Sequence, residues 1–171
     1  MIKRFERPTW TTMLVYFLRH GLAANAETWR GDDAERPLTD KGRERMSAVA
    51  RKLAKLDIDA DVVVTSPLLR AKQTASIVAR ALDLSEKVVE DERLAGGFGV
   101  DALAAILRDH CDAEAVVLVG HEPNMSATIG HVLGGVRVEL KKGAIACLSF
   151  EDPTSSKSEL LWLAPPKVLI G

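Results

Sequence analysis

Three short apolar runs, Met13–Leu18, Asp61–Thr65 and Ala115–Val119, each break off into polar residues, and this recurring design constrains the fold more than any other feature of the chain. Continuous apolar runs of this length fit strands buried on both faces. The first ends in Arg19-His20-Gly21 and the third in Gly120-His121, while the second leads through Ser66-Pro67-Leu68-Leu69 into Arg70. Helical patterns lie between them. Met46, Val49, Ala50 and Leu53 recur at three- and four-residue spacing behind a capping Thr39, which predicts a helix from Asp40 to Leu56. Leu69 to Leu82, Val100 to His110 and Asn124 to Leu133 read the same way. Strand and helix therefore alternate, and the expected fold is α/β: three layers, with a mostly parallel central sheet flanked by helices. Ala144–Phe150 and Glu159–Leu163, parted by the turn-rich Pro153–Lys157, predict an antiparallel C-terminal edge hairpin. Asn25–Pro37 is a long polar loop directly after the first strand, and loops of that length are usually functional or mobile.

At 171 residues the chain suits one domain better than two, and we divide it into an N-terminal tail, residues 1–12, and a single domain, residues 13–171. With 23 Lys and Arg against 24 Asp and Glu, the net charge of −1 provides no global field for nucleic acid or an acidic membrane surface. Any anion site must be local. Residues 1–10 lack the apolar stretch of a signal peptide and Met13–Leu18 is too short to span a bilayer, so the expected location is the cytoplasm. Cys111 and Cys147 sit in apolar segments without a Cys-x-x-Cys pair, and both are expected to be small buried hydrophobes.

In a parallel sheet the three polar strand ends converge on one rim, which gathers Arg19, His20, Arg70 and His121. Two guanidiniums and two imidazoles there suit a phosphoryl group, because an arginine fork holds two phosphate oxygens and stays charged. Singly, a strand-end histidine is more often structural and an arginine more often a solvated charge. Their joint appearance at three strand ends favours function. His110, at a helix end, and His131, within a helix, are read as a dipole partner and a packing or surface residue.

Leu18-Arg19-His20-Gly21, Pro37-Leu38-Thr39-Asp40-Lys41-Gly42, Thr65 to Ala75 and Val119-Gly120-His121-Glu122-Pro123-Asn124 resemble, in order, the motifs of the histidine phosphatase superfamily, the phosphoglycerate-mutase-like fold. The likeness runs from about Met13 to Leu163, and the compact length and closing hairpin look most like the short bacterial phosphohistidine phosphatases. The resemblance implies that His20 is a transiently phosphorylated nucleophile, that Arg19 and Arg70 hold the phosphoryl oxygens, and that His121 stabilises the transferring group. Gly21 and Asn25 are counted with Arg19 and Arg70 among the substrate-binding residues. No metal or cofactor is expected, since fixed cations meet the developing charge. The implied substrate is a phosphorylated protein, a histidine-containing phosphotransfer domain, with the enzyme a monomer or weak dimer and no nucleic-acid or membrane partner.

One departure from the wider family concerns the general acid. Where the mutases' glutamate falls after Arg93-Leu94, this chain has Gly96, within Asp91-Glu92-Arg93-Leu94-Ala95-Gly96-Gly97-Phe98-Gly99. Glu92 or Asp91 could substitute from a shifted position, although salt-bridged surface carboxylates are the preferred reading. An alkoxide leaving group needs protonation, whereas a protonated imidazole leaves readily, so loss of the acid favours a P–N substrate. A short glycine-rich segment without a roof also admits a histidine presented by another protein.

Two other classes stay open. A broad phosphomonoesterase acting on small or aryl phosphates shares the same residues. A non-catalytic phosphoprotein- or nucleotide-binding module is the alternative of another kind, since Gly97-Phe-Gly99-Val-Asp-Ala102 fits a dinucleotide fingerprint, although residues 90–96 separate it from the preceding strand. A Cys-x5-Arg thiol phosphatase and a Walker loop both fail at their key positions. A zinc hydrolase on His20, His121 and Glu122 lacks a helix-borne histidine pair.

Overall fold

A computed structural model describes residues 12–56, 58–151 and 158–171. Its centre is β1, Met13–Arg19, hydrogen-bonded on one side to the parallel strand β4, Ala115–Gly120, and on the other to the antiparallel β5, Ile145–Phe150. Strands β2, Val62–Thr65, and β3, Val88–Glu90, extend the parallel side, and β6, Ser158–Ala164, closes the other edge, giving the order β3-β2-β4-β1-β5-β6. Neighbours on both edges and helices on both faces explain the unbroken apolar runs of β1, β2 and β4. The antiparallel β5–β6 edge agrees with the expected hairpin. Its turn-rich loop and nearly all of the N-terminal tail lie outside the described residues.

Among the described residues, five helices cover the sheet: α1, Asp40–Lys55; α2, Leu69–Ala81; α3, Val100–Asp109; α4, Asn124–Val132; and α5, Pro166–Ile170. Alternation along each strand sorts them into two layers. Tyr16, Leu18, Val63, Val117 and Val119 face α1, α2 and α5, where Met46, Val49, Leu53, Ala75, Val78 and Leu169 complete one core. Val15, Phe17, Val64, Val116 and Leu118 face α3 and α4, through Leu103, Ile106, Met125 and Ile129. The Thr39 cap is as expected, its hydroxyl accepting from the Gly42 amide at 3.0 Å.

The strand expected before the glycine segment is present as β3, a three-residue edge strand, whereas α5, a five-residue helix headed by Pro165-Pro166, adds to the expected architecture, being too short to show a period. Cys111 corrects an expectation. α3 ends at Asp109, His110 caps it, and the following turn carries Cys111 into solvent, so only Cys147 is a buried thiol. Burial pushes the Cys147 pKa up to about 12, which keeps it protonated and inert. His131 is exposed on the last turn of α4. No helix among the described residues is long and apolar enough to cross a membrane.

Candidate active site

Sheet register assembles the site. Arg19 lies opposite Gly120 and Thr65 opposite Val119, so His20 and His121 emerge side by side on the carboxyl rim with Ser66 one residue lower on the neighbouring strand. From there the chain after β1 turns toward α1 on one face, and the chain after β4 enters α4 on the other. The two loops diverge between adjacent parallel strands and open the crevice where ligands of such sheets bind. A Cβ on Gly21 would stand 2.5 Å from Met46 Cγ, so close packing of α1 requires glycine beside His20.

His20 is buried, 7% exposed, and its Nδ1 donates to its neighbour's carbonyl, Gly21 O, at 2.7 Å. Because a carbonyl only accepts, the neutral ring carries its proton on Nδ1 and keeps a lone pair on Nε2. The His121 ring lies 5.1 Å away between centroids, tilted by 52°. His121 Nε2 shares a 2.8 Å hydrogen bond with Ser66 Oγ, and that hydroxyl also accepts from the Leu68 amide at 3.3 Å. Behind His20, the Gly21 amide donates to Thr74 Oγ1 at 3.1 Å, and the Thr74 hydroxyl donates to Arg70 O at 2.7 Å. One helix turn of α2 thus locks the histidine loop to the arginine.

Both arginines are tethered at their far ends. Arg19 Nη1 donates to Leu140 O at 2.8 Å. Arg70 Nη1 donates to Asp33 O at 2.7 Å and Nη2 to Asp33 Oδ2 at 2.9 Å. What remains is informative: Arg19 Nε, Arg70 Nε and His121 Nδ1 are buried nitrogens without a hydrogen-bond partner. A buried unpartnered polar group costs about 1–3 kcal/mol, more when charged, so three in one crevice suit a ligand rich in oxygens.

The electrostatics agree. Burial, seconded by the neighbouring His121, Arg70 and Arg19, pushes the His20 pKa down to about 3. Burial and then Arg70 lower His121 to about 4. Both imidazoles are therefore neutral at pH 7. Burial also lowers the Arg19 and Arg70 pKa values, opposed by Glu122 and Glu139 at Arg19 and by Asp33 at Arg70, without discharging either guanidinium.

A stability prediction follows from these shifts. The unfolded chain protonates histidine near pH 6.5, the folded one only near pH 3–4, so below about pH 6.5 the unfolded state binds more protons. Stability contributed by the neutral rings is complete above that pH and falls as pH drops toward 4, at up to about 1.4 kcal/mol per pH unit for each histidine. His20→Asn, which cannot take up a proton, should flatten the decline in Tm between pH 6.5 and 4.5. Parallel declines in the two proteins would show that His20 is not held neutral.

The remaining sequence candidates separate from this cluster. Asn25 is exposed and its Oδ1 accepts from the Glu27 amide at 2.9 Å, a local turn rather than a hydrogen bond to the rim. Glu92 is exposed, in a 3-10 turn over Glu92–Leu94. Asp91 pairs with Arg93, which holds its carboxyl below the usual carboxylate range. Gly99 caps α3, and residues 91–96, including that 3-10 turn, part β3 from the glycines, so the tight dinucleotide turn is not formed. No three His, Cys, Asp or Glu side chains group as metal ligands among the described residues. Sequence reasoning missed Ser66, Thr74 and Asp33 as members of the site. The polar character of Asn25–Pro37 was the only signal for Asp33.

Known proteins share sequence pattern and fold with this chain. The pattern of the histidine phosphatase superfamily (branch 1) matches residues 15–98. An uncharacterized protein of Picosynechococcus is 36% identical over 166 residues, covering 92% of this chain and 99% of its own. Phosphohistidine phosphatase SixA of Escherichia coli is 27% identical over 157 residues, covering 90% and 94%. The solved structure of the protein histidine phosphatase SixA complexed with tungstate superposes with a TM-score of 0.81 at 26% identity, covering 91% of this chain and 98% of that one. Motif order, sheet topology and whole-length similarity lead to one assignment: the chain belongs to the histidine phosphatase superfamily, as a phosphatase-type hydrolase with a SixA-like fold.

Proposed function

We propose that this phosphatase takes its phosphoryl group from phosphohistidine on another protein, a histidine-containing phosphotransfer domain in the cytoplasm, and passes it through His20 to water without a metal. His20 Nε2 attacks phosphorus as the substrate's P–N bond breaks, and the substrate imidazole, protonated beforehand on its other nitrogen, departs neutral. Water then attacks the phosphorylated His20, inorganic phosphate leaves and the ring is restored. Arg19 and Arg70 meet the charge on the equatorial oxygens through the Nε groups that lack protein partners. With the Ser66 hydroxyl donating to Nε2, the His121 ring proton sits on Nδ1, as a third donor.

The observation that carries the P–N reading is Gly96. An acid for an alkoxide would be needed there, and the position is exposed, with nothing within 4 Å of where a Cβ would stand. Asp33, the carboxylate bound to Arg70, does not replace it, because Arg36 and Arg70 hold its carboxyl below the usual range and hence anionic. Asn124 supports the open segment: in the amide orientation that satisfies both its ends, its oxygen accepts from the amides of Gly97 at 3.0 Å and Phe98 at 3.2 Å.

A leaving-group series tests this reading. General acids contribute about 10²–10⁴-fold, so alkyl phosphates should lag aryl phosphates by that order while phosphohistidine protein is hydrolysed readily. Gly97 needs its φ of +72°, but Gly96 has neither a positive φ nor a close neighbour, so Gly96→Glu should fold normally and raise the alkyl rate. A flat dependence from aryl to alkyl would reveal a working acid and favour a general phosphomonoesterase, with Glu92 the first residue to test.

A further inference from the structure

We propose that Asp33 is a positioning residue that decides which edge of the Arg70 guanidinium meets the phosphoryl group. The inference rests on Arg70 being a phosphoryl ligand, as proposed above. A guanidinium offers two edges that can hold a pair of oxygens, one formed by Nη1 with Nη2 and one by Nε with Nη2. Asp33 takes the first with two different oxygens, its carbonyl on Nη1 and Oδ2 on Nη2. The second edge is left over, and its Nε is buried without a partner. Occupying one edge therefore orients the other.

Asp33 is itself held from behind. Arg36 Nε donates to Asp33 Oδ1 at 2.8 Å, the Arg36 amide donates to Asp33 O at 3.2 Å, and Arg36 Nη1 donates to Ala24 O at 2.8 Å. Asp32 caps the short 3-10 turn over Asp33–Glu35, its Oδ1 accepting from the Ala34 amide at 2.9 Å. The loop after β1 thus acts as a bracket for an arginine delivered by α2. Arg19 follows the same plan, tethered through Nη1 to Leu140 O with its Nε unpartnered.

Charge alone makes the opposite prediction, which gives the test its sign. Asp33 is an anion near an anion site, so by Coulomb's law removing it should tighten binding of another anion. If Asp33 positions Arg70, removing it should weaken binding. Its side chain is 59% exposed, so substitution leaves the core intact. Tungstate affinity by calorimetry, and kcat/KM on an aryl phosphate, would be measured for wild type, Asp33→Ala, Asp33→Asn, Arg70→Ala and the Asp33→Ala/Arg70→Ala pair. Asp33→Ala should lose about tenfold in both, and Asp33→Asn, which keeps an oxygen for Nη2, should lose less although both variants lack the charge. In the Arg70→Ala background, Asp33→Ala should change affinity less than about twofold, because its effect passes through Arg70. Tighter tungstate binding by Asp33→Ala, unchanged binding, or an undiminished effect in the absence of Arg70 would each overturn the proposal. If Arg70→Ala alone binds tungstate normally, the assignment of Arg70 fails as well, a result distinct from failure of the Asp33 role.

Discussion

His20→Ala is expected to abolish turnover, lowering kcat by on the order of 10⁴-fold or more, as removal of a covalent nucleophile does. Of the two rim imidazoles, His20 has the better defined lone pair, on Nε2, because Gly21 O fixes the ring proton on Nδ1. The His121 Nε2 is engaged by Ser66 and so is not free to attack. His20→Asn provides the control, since its amide can still donate toward Gly21 O while offering no nucleophile. Both variants should keep binding tungstate, because Arg19, Arg70 and His121 remain. Steady-state hydrolysis of an aryl phosphate, with calorimetry on the same preparations, checks both halves. Turnover within tenfold of wild type in either variant would remove His20 from the chemistry.

Arg70→Lys should cost about 10²–10³-fold in kcat although the charge is kept. An arginine can bind Asp33 through Nη1 and Nη2 and still present Nε to a phosphoryl oxygen, as the geometry of Arg70 allows. A lysine ammonium is a single point of attachment. If it reaches Asp33 it leaves the phosphoryl group, and if it turns to the phosphoryl group it leaves an anion unpaired. The loss should fall on kcat and kcat/KM alike, as for an interaction that strengthens in the transition state. Near-normal kinetics would assign Arg70 a purely structural role.

Much of this site is legible in the sequence because its position is set by backbone rules. β1, β2 and β4 are buried on both faces, so they appear as apolar runs, and parallel strands bring their carboxyl ends to one rim. His20, His121 and Arg70 therefore converge by topology. What topology does not determine stayed hidden. Asp33 reaches Arg70 only because a loop folds back over 37 positions of sequence, and no periodicity records that. Ser66 looked like part of a motif, yet its use is the orientation of one ring nitrogen. Cys111 departs from expectation for a local reason, a helix that ends just before it, and the Asn25 side chain is engaged by its own turn. α5 is too short, at five residues, to show a helical period.

In the proposed mechanism phosphate leaves a protein histidine by way of His20. This route is tested most directly by rapid-quench labelling with a radiolabelled phosphohistidine-bearing phosphotransfer protein in excess over the enzyme. An acid-labile, alkali-stable label should form on this chain within the first turnover, mapping to His20 and absent from His20→Asn. Release of inorganic phosphate with no label on the chain, or a label that survives acid or maps elsewhere, would contradict it.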